Sequence, residues 1–302
     1  MQRPAGVARP LMREYFWNDL LSPEHRLGGS LTIDEGENGM DSVARSRRRR
    51  LRALNRWAQA AGWNVRASGM AARRIGAFWD DAKEFRKRGG LIDEYWPRLH
   101  ESSEAGLASG HYFWQDLLVA RRVAQTNPTR HVDVGSRIDG FVAHLLAFRP
   151  VEVVDIRESP GPIPGLTFIR SDGRTLDGIG DRTVISLSSL HALEHFGLGR
   201  YGDDIDPEGH HRGLRAAQRV LAVTGRLWVS FPVGKPKVQF NAQRVLDPVE
   251  PIAVLDELTL VDFTAIPGDG PPVTSADPAD FRNDDMWCGL YEFIRAPLDV
   301  KK

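Results

Sequence analysis

Acidic residues follow three consecutive apolar runs in the middle of the chain. Asp133 lies just before a turn at Gly135, Asp155 ends the second run, and Asp172 follows the third. Each aspartate alone is suited to capping a turn. Three acids at successive strand ends instead indicate a binding edge, because an acid about 20 residues beyond a glycine turn suits ribose hydroxyls. Asp172 is then placed to accept a hydrogen bond from an adenine amino group.

Apolar segments alternate with helical patterns from residue 111 onward, which predicts a mainly parallel α/β sheet covered on both faces. One predicted helical face carries Phe141, Leu145 and Phe148, and a second carries Leu214, Ala217 and Leu221. The last two apolar runs have no helix between them and predict an antiparallel hairpin at one edge. The predicted strands are His131–Val134, Val151–Val154, Leu166–Ile169, Thr183–Leu187, Leu227–Phe231, Leu258–Ile266 and Trp287–Ile294. Ligands of such sheets bind beyond the carboxyl ends of the strands, where the acids lie.

The segment after the fourth predicted strand carries the candidate bases His191, Glu194 and His195. Histidine titrates near neutral pH and can accept the proton of an attacking hydroxyl. His191 and His195 are four residues apart on a predicted helix, so both can face one site. His191 is the first choice, and Glu194 has the alternative role of holding Arg200 or a backbone amide.

A glycine-rich loop, residues 195–203, follows these bases and carries three candidate substrate ligands, Arg200, Tyr201 and Asp203. The structural alternative is that the arginine merely pairs with a neighbouring aspartate. After the fifth strand, Asn241 and Arg244 are candidates to bind a carboxylate or phosphate. The adjacent His210 and His211 lie on a predicted loop without a third ligand at a recognisable spacing, so no metal site is predicted.

Taken in order, these segments resemble the class I S-adenosylmethionine-dependent methyltransferases. Asp133-Val-Gly135 resembles their first motif, and residues 188–195 and 219–230 resemble the segments around the fourth and fifth strands. The resemblance implies a Rossmann-like, mainly parallel seven-stranded sheet with S-adenosylmethionine as cofactor. The cofactor contacts that it implies are Asp133, Gly135, Ser136, Arg137, Asp155, Ile156, Asp172, Gly173 and Ser189. Arg137 and Asp139 stand where the first motif usually has its second and third glycines.

A narrower resemblance is to a methyltransferase-like family catalogued as a domain of unknown function. It is carried by His111-Tyr-Phe-Trp-Gln-Asp116, by residues 195–203 and by Phe240-Asn-Ala-Gln-Arg244. This resemblance suggests O-methylation of a sugar in surface-polysaccharide biosynthesis.

The leading hypothesis is therefore a small-molecule methyltransferase, and two alternatives stay open. Gly135 and Gly140 with Asp155 half-match the dinucleotide fingerprint of an NAD-type oxidoreductase, although Arg137 replaces its central glycine. The other alternative is a non-catalytic scaffold or binding protein that keeps the fold without turnover.

Composition limits the remaining choices. The 302 residues carry 40 basic and 40 acidic side chains, so no overall field points to nucleic acid. The single cysteine, Cys288, indicates a reducing compartment. No apolar run approaches the ~20 residues needed to cross a bilayer, and the N-terminus lacks a signal-peptide core. The sequence predicts a cytoplasmic protein with no transmembrane segment.

Charge and composition vary along the chain and divide it into four predicted regions. Residues 1–44 are predicted to be disordered, 45–110 to be a basic helical region, 111–296 the α/β domain and 297–302 a tail. Residues 45–88 hold 14 Lys/Arg against 3 Asp/Glu. Helical spacing occurs at 51–61 and again at 71–78, which favours a solvated helical hairpin. Peripheral contact with an anionic surface is the alternative, and nucleic acid is disfavoured but stays open.

Overall fold

A computed structural model describes residues 65–97, 108–159 and 161–297 of the chain. It divides the chain into two units, Met1–Ser103 and Glu104–Lys302. In the first unit, helix α1 (Val65–Lys87) contains the second of the two basic helical patterns. The first pattern, the segment 1–44 and the end of the tail lie outside the described residues. No helix in the described ranges has the length and apolar character needed to span a membrane.

The second unit is built on a mixed seven-stranded sheet in the order β3-β2-β1-β4-β5-β9-β8. Its strands are β1 Val132–Val134, β2 Val151–Asp155, β3 Leu166–Arg170, β4 Val184–Leu190, β5 Leu221–Val233, β8 Thr259–Ile266 and β9 Trp287–Ile294. The first five are parallel, and β9 runs antiparallel to both of its neighbours. The predicted Rossmann-like, class I methyltransferase-type sheet with an antiparallel edge is therefore confirmed.

Helices cover both faces of the sheet and bury two apolar clusters. On one face α2 and α3 cover Trp228, and on the other α4 and α5 cover Leu227, Phe231 and Tyr291. The helices are α2 His111–Thr126, α3 Ala143–Leu146 after a π-helical turn at Ile138–Val142, α4 Gly209–Val220 and α5 Glu250–Val254. A small antiparallel ribbon, β6 Lys237–Gln239 and β7 Gln243–Val245, follows β5.

Two details of the predicted helices are wrong. Helix α3 ends at Leu146, so Phe148 lies beyond it and is half exposed. Pro150 follows closely, and a proline disfavours the helical conformation of the residue before it. Leu221 adopts an extended conformation and begins β5 instead of ending α4. Its side chain is nevertheless fully buried, which explains why it continued the apolar pattern of the helix.

Candidate active site

A cavity of about 410 Å³ opens at the carboxyl ends of the parallel strands, where the strand order reverses between β1 and β4. This volume lies within the range of small-molecule sites. It is lined by Tyr112, Val134, Gly135, Arg137, Val154, Asp155, Ile156, Arg157, Asp172, Gly173, Arg174, His191, Ala192, His195, Phe196, Arg200, Tyr201, Asp203 and Gln243.

Most of the predicted site residues meet at this cavity. Those that line it are Gly135, Arg137, Asp155, Ile156, Asp172, Gly173, His191, His195, Arg200, Tyr201 and Asp203. Six predicted residues do not line it, namely Asp133, Ser136, Ser189, Glu194, Asn241 and Arg244. Each of these six has a structural environment that accounts for its position.

Asp133 is fully buried beneath the turn and does not face the cavity. Its carboxylate accepts hydrogen bonds from the Ser136 backbone at 3.0 Å and from the hydroxyls of Ser136 and Ser188, both at 2.6 Å. Burial raises the pKa of Asp133 to about 6, although these hydrogen bonds oppose the shift. Its acceptor atoms hold the turn at Gly135, so in this structure Asp133 supports the cavity from beneath.

The two predicted serines are also part of the scaffold. The Ser136 hydroxyl accepts a hydrogen bond from the Leu190 backbone at 2.9 Å. The Ser189 hydroxyl donates to the Val134 carbonyl at 2.7 Å. Both side chains are buried, and both tie β1 to the end of β4. They support the cavity from behind instead of touching its contents.

The acids at the ends of β2 and β3 share a local motif with a following arginine. Asp155 accepts from the backbone and the Nε of Arg157 at 2.8 and 2.9 Å, and Asp172 accepts from the same groups of Arg174 at 2.8 and 3.1 Å. Burial opposes ionisation of Asp172, but the Arg174 hydrogen bonds lower its pKa. The hydrogen bond to Asp155 likewise raises the pKa of Arg157. Both arginines line the cavity, and the repeated Asp-x-Arg spacing is the sequence signal that would have found them.

Aromatic rings and guanidinium groups alternate along the cavity wall. The Tyr201 ring lies between Arg157 and Arg200, at 5.0 and 5.1 Å from their guanidinium carbons. Arg137 lies 5.0 Å from the ring of Tyr112, which the sequence did not single out as a site residue. Such cation–π contacts contribute about 0.5–1 kcal/mol each when exposed. They hold the flexible arginines in place around the opening.

Arg137 and Asp139, which replace two expected glycines, form an ion pair with each other at 2.9 Å. Both side chains are more than half exposed, so the pair lies at the rim of the turn. The pair therefore satisfies both charges without a ligand.

His191 and Glu194 form a hydrogen-bonded pair, with His191 Nδ1 2.8 Å from Glu194 Oε1. His191 lines the cavity, whereas Glu194 is fully buried behind it. His191 Nε2 and Glu194 Oε2 have no hydrogen-bond partner among the described residues. Burial lowers the pKa of His191, but Cys288 and the Glu194 carboxylate raise it by more. The pKa of His191 therefore lies well above its ordinary value. Nδ1 is thus held by a carboxylate, whereas Nε2 is a buried atom on the side of the ring where Cys288 also acts on its pKa.

The helix predicted to carry His191 and His195 does not form. His191 has a left-handed backbone with φ of 49°, and only Leu193–His195 makes a short 3₁₀ turn. The left-handed residue turns the chain from β4 into the cavity, which a regular helix would not do. Non-glycine residues in this conformation are uncommon and cluster at functional sites.

His195 differs from His191 in its partners. Its Nδ1 lies 2.7 Å from the Ala242 carbonyl, so Nδ1 carries the proton and donates it. Burial lowers the pKa of His195, although Glu194 opposes the shift. The lowered pKa favours the neutral form of His195, in which the proton lies on Nδ1 and Nε2 keeps its lone pair.

Arg244 holds the glycine loop from within the protein. Its guanidinium group donates to four backbone carbonyls, those of Glu194, Phe196, Asp206 and Pro207, at 3.2, 2.7, 3.2 and 3.1 Å. The side chain is buried and does not line the cavity, so in this structure it holds the loop from behind.

Asn241, also predicted to contact substrate, forms the turn between β6 and β7. It has a φ of 62°, a conformation that asparagine tolerates well. The residue from this ribbon that does line the cavity is Gln243.

One family model matches part of the chain. Residues 182–261 match the family model described as Caenorhabditis protein of unknown function, DUF268. This agrees with the predicted resemblance, since the segment contains two of the three motifs that carried it. No curated protein matches the chain.

Several solved structures are similar to the chain. One is Burkholderia thailandensis 1,6-didemethyltoxoflavin-N1-methyltransferase with bound 1,6-didemethyltoxoflavin and S-adenosylhomocysteine (14% identity, TM-score 0.44, 76% of this chain and 89% of that chain). Another is the cyclase SpnF (14%, 0.48, 75% and 93%). A third is the N-methyltransferase NodS from Bradyrhizobium japonicum WM9 in complex with S-adenosyl-L-homocysteine (12%, 0.41, 62% and 89%). The fold assignment rests on the strand order of the sheet.

Gly197 is expected to be the least replaceable glycine of the loop. Its φ is 77°, and an added Cβ would lie 2.0 Å from the Asp206 carbonyl oxygen. Gly202, with a φ of 84° and nothing within 4 Å, provides the matched control. We expect Gly202→Ala to cost roughly 1–2 kcal/mol from backbone strain and Gly197→Ala about 3–5 kcal/mol in urea unfolding. Equal costs would contradict the steric argument.

Replacing Arg244 tests whether it holds the loop. Arg244→Met leaves buried carbonyls without their donor, so we expect a loss of about 2–4 kcal/mol in the free energy of unfolding. Arg170→Met, at an exposed position of β3, is the control and should stay within about 0.5 kcal/mol. A stable Arg244→Met protein with weakened ligand binding would instead restore the substrate-binding role.

Proposed function

We propose that the protein is an S-adenosylmethionine-dependent methyltransferase that acts on the hydroxyl group of a small molecule. The observation that carries this proposal is one cavity that combines the strand-end acid Asp155 with the His191–Glu194 pair. The first would supply a nucleoside contact, and the second would supply a titratable imidazole that a buried carboxylate holds in place. Methyltransferases with bound S-adenosylhomocysteine among the similar structures are in keeping with the proposal.

The residues around the cavity fit this cofactor. Asp155, at the end of β2, would accept hydrogen bonds from the ribose hydroxyls, with the exposed part of Arg157 moving aside. Asp172 and Gly173 would face the adenine, and Ile156 would pack against it. Gly135 has a φ of 72° and presents backbone without a side chain at the turn. S-adenosylmethionine supplies an activated methyl group when it is bound.

The chain's own contribution to transfer is orientation and proton removal. In its neutral form, present above its raised pKa, His191 would accept the proton of the attacking hydroxyl at Nε2, while Glu194 holds Nδ1 and fixes the ring. A positioned base of this kind contributes typically ~10²–10⁴-fold to a rate. The cavity walls would hold the acceptor in line with the methyl group, which removes part of the entropic barrier.

A sugar is the acceptor that we propose, in surface-polysaccharide biosynthesis as the narrower family resemblance suggests. A sugar offers the hydroxyl that a histidine base requires. Its ring can also stack on an aromatic side chain such as Tyr112 or Tyr201, both of which line the cavity.

Titration calorimetry with S-adenosylhomocysteine tests cofactor binding. Asp155→Asn removes the charge that strengthens the ribose hydrogen bonds, so we expect affinity to fall at least ~10-fold. Asp139→Asn changes an exposed acid that also pairs with an arginine, and it should leave affinity unchanged.

Equal affinities of wild type and Asp155→Asn would refute the ribose contact. Failure of the wild type to bind would favour a non-catalytic scaffold, and tight binding of NAD instead would favour an oxidoreductase.

The pKa of His191 provides a second test. Histidine resonances followed by NMR should place it above the ordinary value of about 6.5. Glu194→Gln removes a nearby negative charge while burial remains, so this pKa should fall; Asp139→Asn should not move it.

The same shift predicts how stability depends on pH. Because the folded pKa is raised, protonation of His191 stabilises the fold fully below the unfolded value, and the contribution is lost as pH rises through the folded pKa. An unchanged titration in Glu194→Gln would show that the two residues are not coupled.

A further inference from the structure

Two histidines and a carboxylate meet at the start of α4, away from the residues that line the cavity. The sequence predicted His210 and His211 on a loop without a third ligand, whereas the structure places both in the first turn of α4. Glu250, 39 residues beyond His211, is brought to them by α5. Glu250 Oε1 lies 3.3 Å from His210 Nε2 and 2.7 Å from His211 Nε2.

The direction of the two rings is unusual. Neighbouring residues of an α-helix point about 100° apart, so their side chains do not normally face one another. Here the rings are stacked with centroids 4.0 Å apart. Both have turned toward the same carboxylate oxygen, and the three ligand atoms lie within 4.8 Å of one another.

The two contacts of His211 cannot both be made by a neutral imidazole. His211 Nδ1 lies 2.7 Å from Glu208 Oε2 and its Nε2 lies 2.7 Å from Glu250 Oε1. A neutral imidazole carries one N–H and an ionised carboxylate only accepts. One of the two contacts therefore needs either a second proton or a metal ion.

His210 points to the same conclusion independently. Its exposure is only 6%, and Nδ1 has no partner within the described part of the chain. Nε2 faces Glu250 at 3.3 Å. Nε2 is therefore the atom of His210 that is turned toward the cluster and offered as a ligand, with the ring proton on Nδ1.

We propose that His210, His211 and Glu250 bind one divalent transition-metal ion, with zinc the best match. Two histidines and a glutamate form a recognised zinc ligand set, at about 2.0–2.2 Å from the ion. Tetrahedral ligand atoms are then about 3.3 Å apart, so the 2.7 Å contact must open by a few tenths of an ångström. Glu250 is partly exposed, which permits this shift and lets water complete the coordination.

Glu208 completes the arrangement as an orienting residue. A ligating histidine usually donates its other N–H to a carboxylate, which fixes the tautomer. The contact between Glu208 and His211 Nδ1 has this geometry. Two carboxylates would also balance the double charge of the ion while both rings remain neutral.

The ion would join α4 to α5 in a structural role. Gly209 begins α4 so close to the Phe196 carbonyl that an added Cβ would lie 2.6 Å from it, and Phe196 lines the cavity. Metal binding would thus stabilise one wall of the candidate site. This inference does not depend on which reaction occurs there.

Metal binding can be measured on the tag-free, full-length protein after treatment with a chelator. Competition with a chromophoric chelator should show one zinc ion bound per chain. At zinc concentrations ~100-fold above the Kd, the Tm should rise by about 5 °C or more. Absence of saturable, stoichiometric binding would overturn the proposal and leave a protonated histidine as the cation.

Variants locate the site. His210→Gln and Glu250→Gln should each abolish stoichiometric binding, and Glu208→Gln should weaken it ~10–100-fold. His144→Gln, at an exposed histidine on α3, is the matched control and should bind like wild type. Zinc binding retained in His210→Gln and Glu250→Gln would overturn the assignment.

Cobalt substitution of the wild type avoids dependence on the folding of variants. The visible spectrum should be that of a tetrahedral site with nitrogen and oxygen ligands. A thiolate charge-transfer band would instead assign the metal to Cys288 and contradict the proposal.

Discussion

A buried chain of hydrogen bonds connects the strands on which the candidate site is built. His131 Nε2 lies 3.0 Å from the Ser188 hydroxyl, which donates to Asp133 at 2.6 Å, and Asp133 in turn holds the hydroxyl of Ser136 at 2.6 Å. Asp133 and Ser188 are register partners across β1 and β4. Buried polar networks are favourable only when every member is satisfied. This one fixes the turn after β1 at the point where the strand order reverses, and the cavity forms above it.

The two acids that line the cavity are held by ion pairs instead of by buried hydroxyl groups. Asp155 and Asp172 each pair with an arginine two residues later, so their charges are compensated before any ligand binds. The Arg157 side chain is much more exposed than the aspartate that it covers. A ligand can therefore displace it at small cost, because partly exposed ion pairs contribute only ~0–1 kcal/mol. Arg137, Arg157 and Arg174 are each paired in this way with an aspartate two residues away, and Arg200 donates to the Ala242 carbonyl.

The fold could be predicted from local patterns, and about two thirds of the predicted site residues line one cavity. Alternating apolar runs identified every strand of the main sheet, and strand ends identified Asp155 and Asp172. The hydrogen-bond partners of Asp133 and Arg244 could not be predicted, because a charged residue in a motif suits a ligand and a backbone group equally well. The partners that decide between them, Ser188 and the carbonyls of residues 194–207, lie about 40–55 residues away. The His210–His211 pair was set aside for the same reason, since Glu250 is remote in sequence.

His191 has an unusual backbone conformation at the point where it lines the cavity. A left-handed conformation favours glycine or asparagine, and any other residue raises the energy of the folded chain by roughly 1–2 kcal/mol. At His191 this bend ends β4 and places an imidazole in the cavity wall, with a fully buried glutamate behind it.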